Sequence, residues 1–207
     1  MSDNDNNHGI PLRIFKCKES EEYAKRVMAH EDVTFSIQCL IKLREMNAIE
    51  GSDEIISQSL WNSAVIRAFS IFDGQSSIST ETLKLLPEGA NDAYKFFRNY
   101  RSKHISHKVN PIDQIKPGIL LSNPETDQKK VLGIGNLAMK DASYSDAEFV
   151  SSLGQFLDAL KKQLEQEIND WSQKMLLAAK GNDIEELYKL PSLRVVVPQS
   201  NHLHKGT

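Results

Sequence analysis

The chain has 207 residues, 40% hydrophobic and 26% charged, with a formal net charge of −3. That length supports one domain with a sizeable core, and the acidic balance excludes a generalist nucleic-acid coat, which would be strongly basic. Cys17 and Cys39 have neither zinc nor redox spacing, the Asp/Asn-rich start is unlike a secretory leader, and no apolar run approaches membrane-spanning length, so a soluble, cytoplasmic chain without membrane contact is expected.

Residues 1–17 read as a flexible tail, most polar over 1–11. A first helix is predicted over 20–47, with an apolar stripe of Tyr23, Val27, Phe35, Leu40 and Leu43 interrupted by His30, Glu31 and Asp32. Gly51 ends it, and Ser52 with Asp53 can cap a second helix over 53–72. Its apolar residues Ile56, Leu60, Ala64, Ala68 and Ile71 recur at steps of four and three, and Asp73-Gly74 stops it. A polar loop and a short helical piece over 82–86 lead to a helix over 91–106, closed by Asn110-Pro111 because the residue before proline is pushed from helical angles.

Residues 110–140 are rich in proline and glycine, and the runs 118–122 and 130–134 read as a β-hairpin, an insertion too small for a core of its own. Ser145-Asp-Ala-Glu148 reads as a capping box for the longest helix, whose one face holds Phe149, Leu153, Phe156, Leu160, Leu164, Trp171 and Met175. Lys161, Lys162, Glu165 and Glu167 are expected on its solvent side. Gly181-Asn182 ends it, a short helix follows over 183–188, and 193–197 is a strand candidate for the hairpin edge. The pattern predicts a mainly α fold: a bundle of four to five helices over 18–190, a β-hairpin insertion at 110–140, and a C-terminal strand and tail over 191–207.

Within the helix over 91–106 and just beyond it, basic residues recur every third position: Arg98, Arg101, His104 and His107. Steps of three make neighbours of consecutive members, so the arginines repel one another unless an anion or an acidic partner sits opposite. Asp73 is one candidate for that partner. Arginine binds two phosphate oxygens with its planar fork, and histidine is the side chain whose unperturbed pKa lies closest to neutral, so the row holds the equipment for chemistry at a phosphate.

Arg101-Ser-Lys-His-Ile-Ser-His107 also resembles the signature of the HEPN domains (higher eukaryotes and prokaryotes nucleotide-binding), an Arg separated from a His by four to six residues. It is similar to the Arg-Asn-Lys-x-x-Ala-His form of bacterial abortive-infection members. Ser102 stands where that family usually has Asn, Asp or His, and a second register, Arg98-Asn99 through His104, does carry the Asn. The resemblance implies a helical bundle and a metal-independent endoribonuclease, without cofactor, that cleaves RNA by 2′-OH attack, in phage defence or as a toxin with a possible antitoxin partner. It implies a homodimer with the motifs meeting across a cleft. Arg101 would hold the phosphate and His107 would serve in acid/base catalysis; Arg98, Asn99 and His104 would be supporting or alternative members, and Lys103 and Lys108 further RNA contacts.

The residues themselves leave alternatives open. Lys103, His104, His107 and Lys108 also suit a solvated helix C-terminus, where cations complement the dipole. A HEPN-like module without catalysis, binding RNA or protein, is a second alternative. His104 and His107 have a spacing compatible with a metal, but no further ligand pair accompanies them. Trp61 and Trp171 read as core rather than base-stacking platforms.

Overall fold

The structure, a computed structural model, describes residues 12–49, 51, 53–74, 77–105, 114–123, 125, 129–139 and 142–192, with the backbone alone at 104, 114–116 and 136–139. The expected strand at 193–197 and residues 1–11 of the expected tail over 1–17 lie outside the described residues, whereas residues 12–17 are described. The fold is mainly helical: α1 (Lys18–Asn47), α2 (Glu54–Ser70), α3 (Ala90–Tyr100), α4 (Ala147–Lys180) and α5 (Ile184–Lys189). Strands β1 (Gln114–Leu121) and β2 (Val131–Met139) form an antiparallel hairpin, longer than the sequence pattern predicts. The expected helical piece before Pro87 is a 3-10 turn, Thr80–Leu85. Among the described residues no helix is long and apolar enough to cross a membrane.

The chain divides into two compact units, Lys25–Ile168 and Met1–Ala24 with Asn169–Thr207. In the second, Arg13 forms an isolated antiparallel bridge with Ser192, and the Ile14 N–H donates to the Pro191 carbonyl at 2.8 Å. The hydrophobic core belongs to the first.

The inward face of α1 shares only Leu40 and Leu43 with the predicted stripe. Arg26, Ala29, Val33, Ser36, Leu40 and Leu43 are buried, at alternating steps of three and four, whereas Phe35 is exposed beneath the Arg67 guanidinium. Two polar residues on that face conceal it from a reading by hydrophobicity. Ser36 Oγ donates to the Asp32 carbonyl at 2.8 Å. Arg26 Nε donates to Glu167 at 3.1 Å, so Glu167 is not on the solvated face of α4 as expected but shields a buried guanidinium. Breaking such a pair from one side is costly, because a buried guanidinium loses a carboxylate partner.

In α2 the buried face is rotated towards Ser57, Trp61, Ala64, Val65, Ala68 and Phe69, and Ile56 is exposed. The bulk of Trp61 sets that rotation, because a large ring gains most from complete burial. Asp53 caps α2 as expected, its Oδ1 accepting the N–H groups of Ile55 and Ile56 at 2.9 and 3.2 Å. The cap of α4 differs. Asp146 Oδ1 accepts from Glu148 and Phe149, while Ser145 Oγ turns back to the Ala142 carbonyl. Asp146 is one residue nearer the helix, and a carboxylate is the stronger acceptor.

α4 contributes Val150, Leu153, Phe156, Leu157, Leu160 and Leu164 to the core, each such side chain adding about 1.5–3 kcal/mol on burial. An aromatic cluster joins α2, α3 and α4: Trp61 lies edge-on to Phe97 and Tyr100, with ring centroids 6.4 and 5.9 Å away, and tilted against Phe149 at 5.8 Å. The Trp61 indole N–H donates to the Tyr100 hydroxyl at 2.9 Å, fully buried.

Leu157→Ala is expected to lower unfolding free energy by about 2–5 kcal/mol, and Trp61→Phe, which removes the indole donor, by about 1–3 kcal/mol. Exposed Ile66→Ala should stay within about 0.5 kcal/mol. Denaturant melts followed by helical circular dichroism check all three.

Candidate nucleic-acid interface

After α2 the chain turns through Ile71 and Phe72, both buried, to Asp73 and then Gly74 at φ +83°. A positive φ suits glycine because no Cβ collides with the backbone. The Ile78 N–H closes this turn on the Ile71 carbonyl at 2.8 Å. The turn sets the Asp73 carboxylate against α3.

Both motif arginines of α3 and its end converge on that carboxylate. Arg98 Nη2 donates to Oδ1 at 3.2 Å, and Arg101 Nη1 donates to Oδ2. Arg98 Nη1 donates in addition to the Tyr94 hydroxyl at 2.6 Å, one helical turn back. The acidic partner that the spacing of the arginines requires is therefore Asp73. Two guanidiniums against one carboxylate leave one net positive charge. The side chains are 47% exposed at Arg98, 22% at Arg101 and 39% at Asp73, so water screens the cluster and an incoming anion can reach it. Screened pairs of this kind contribute no more than about 1 kcal/mol each.

α3 does not continue as an α-helix through the predicted span. It ends at Tyr100 and passes into a π-helical turn, Arg101–Ile105. The cause lies in the anchors at its two ends. Tyr100 is buried against Trp61 and Phe149, and Ile105 packs against the same core. Five residues on, an α-helix points about 140° away, whereas a π turn closes over five residues and returns to the same side. Turns of this type occur frequently at functional sites.

Asn99, Ser102 and Lys103 are exposed on this segment, and His104 sits in the π turn. His107 and Lys108 lie outside the described residues, so the first register is seen at Arg101 alone and the second at Arg98 and Asn99 with the His104 backbone. Beside Arg98 opens a groove of about 640 Å³, lined among others by Lys84, Tyr94 and Lys95 and by the carboxylates Glu81 and Glu88. The Tyr94 contact went unread in the sequence, although a tyrosine four residues before an arginine is a helical neighbour pair.

Other aromatic, acidic and thiol side chains take structural places. Trp61 is core. Trp171 is half-buried with Lys174 Nζ 4.3 Å from its ring centroid. Glu54, near the first interhelical turn, accepts from the Tyr144 hydroxyl at 2.8 Å. Cys39 is buried, and burial pushes its thiol pKa up, with the Arg67 guanidinium pulling part of the way back. A raised pKa withholds the thiolate, so Cys39 is no nucleophile at neutral pH.

No family model matches the chain, and neither a curated protein nor a solved structure matches it.

Asp73→Ala is expected to lower stability by about 1 kcal/mol, because two neighbouring guanidiniums lose their shared counter-ion, and added salt should reduce the deficit. Thermal melts at low and high salt measure this. Cys39 should resist alkylation in the folded chain at pH 8 and react once denaturant is added, as peptide mapping would record.

Proposed function

We propose that the chain is a metal-independent endoribonuclease of HEPN type, acting in phage defence or as a toxin. The observation that carries this reading is the solvent-accessible pair of exposed Arg98 and half-buried Arg101, which shares one carboxylate and keeps a net positive charge next to a histidine-bearing turn. A phosphodiester needs positive charge on its non-bridging oxygens as the 2′-OH attacks, and guanidinium supplies it without proton exchange. Asp73 preorganises both forks and yields part of its share to phosphate. The histidines of the row move the protons, one taking the 2′-OH proton and one protonating the leaving 5′ oxygen. Two copies, each bringing its own row, supply both roles at one bond.

A second reading is favoured by the same carboxylate. If Asp73 clamps the arginines as a structural lock, the row binds RNA weakly or serves as a protein-interaction surface without turnover. Turnover separates the readings: on the first the purified chain cleaves RNA, and on the second it cleaves none whether or not it binds RNA.

The test is a cleavage assay on purified protein. Cleavage should persist in EDTA and leave 2′,3′-cyclic phosphate ends, and at least one Arg/His register, Arg101 with His107 or Arg98 with His104, should lose activity by about 100-fold or more on alanine substitution with its fold retained. Activity that needs added Mg²⁺, or that survives all four substitutions, would overturn the proposal.

A further inference from the structure

The hairpin carries a feature that the arginine row does not explain. Ile119 pairs with Ile134 and Leu121 with Val131 across the strands, and a register shift between Leu120 and Leu121 brings these four onto one face. They are 66%, 82%, 67% and 65% exposed. The other face is different in kind: Leu120 pairs with Gly133, and its side chain already lies over Gly135, where an added Cβ would stand 3.1 Å from it. One face is thus a bare aliphatic quartet, and the other is partly covered by its own leucine.

We propose that this quartet is a self-association surface, on which a second copy of the chain packs its own hairpin face about a two-fold axis. The proposal does not rest on the ribonuclease reading. A two-stranded hairpin is marginal in water and needs a further layer against its apolar face. The quartet presents no charge and no hydrogen-bonding side chain that would select a partner of other chemistry, whereas an all-aliphatic face is complementary to itself. With the neighbouring Leu132, 60% exposed, it offers roughly 500 Å² per protomer, so two copies bury about 1,000 Å², the size at which specific interfaces begin. Two stacked hairpins about 10 Å apart interdigitate these side chains as sheets do in a sandwich.

Sedimentation of the full chain between about 1 and 100 µM tests this, with a concentration-dependent monomer–dimer shift expected in that range. Ile134→Lys should weaken the dimer by at least about 10-fold, as should Ile119→Lys, with unchanged helical circular dichroism. Leu177→Lys, an exposed leucine on α4, should leave the dimer intact. A wild-type chain that stays monomeric at the highest concentration overturns the proposal, as does a dimer indifferent to both lysine variants. A chain that dimerises only after residues 193–207 are removed also overturns it, since its own C-terminal segment then covers the face. If Arg98→Ala abolishes the dimer and Ile134→Lys does not, the interface belongs to the arginine row, and this proposal fails while the ribonuclease reading stands.

Discussion

A buried indole must find an acceptor for its N–H, and Trp61 finds the Tyr100 hydroxyl. That bond fixes the last α-helical residue of α3 inside the aromatic cluster that joins α2, α3 and α4. With Tyr100 anchored and Ile105 packed on the same core, the four residues between must close as a wide turn. Arg101 opens that turn, and Arg98 stands one helical step before it. The direction of both guanidiniums therefore follows from a core contact made by neither.

The second constraint is electrostatic. Stacked arginines oppose helix formation unless their charge is shared, and Asp73 shares it from the end of α2. Full burial of the cluster would make it a costly lock; full exposure would leave the forks disordered. At intermediate exposure the carboxylate orients the donors while water still competes for them, and a phosphate carrying its own negative charge competes better than water. Tyr94 adds a neutral acceptor that holds Arg98 without cancelling charge. The arrangement is suited to admitting an anion and to holding its shape when none is present.

The helical framework was legible because long periodic segments with good caps leave little choice: Asp53 caps α2 and Gly181 follows α4 as their residue types require. The faces were less legible. Arg26 and Ser36 occupy the buried side of α1, and Trp61 pulls the buried side of α2 away from Ile56, so hydrophobicity alone pointed both helices slightly wrongly. The arginine row was visible as spacing, and Asp73 as one open partner, but the π turn was not. It arises from two tertiary anchors five residues apart, and no local propensity encodes that distance.

Phosphate contact by the two arginines, on the proposed function, would leave a signature separate from turnover. Each arginine that neutralises a phosphate releases counterions, and for single strands this steepens the dependence of log affinity on log salt by about 0.7. The most direct measurement is that slope for a cleavage-resistant 2′-deoxy oligonucleotide, in the wild-type chain, Arg98→Ala and Arg101→Ala. The account predicts a slope shallower by about 0.7 in each variant. Unchanged slopes in both would contradict it, placing the bound strand elsewhere on the surface.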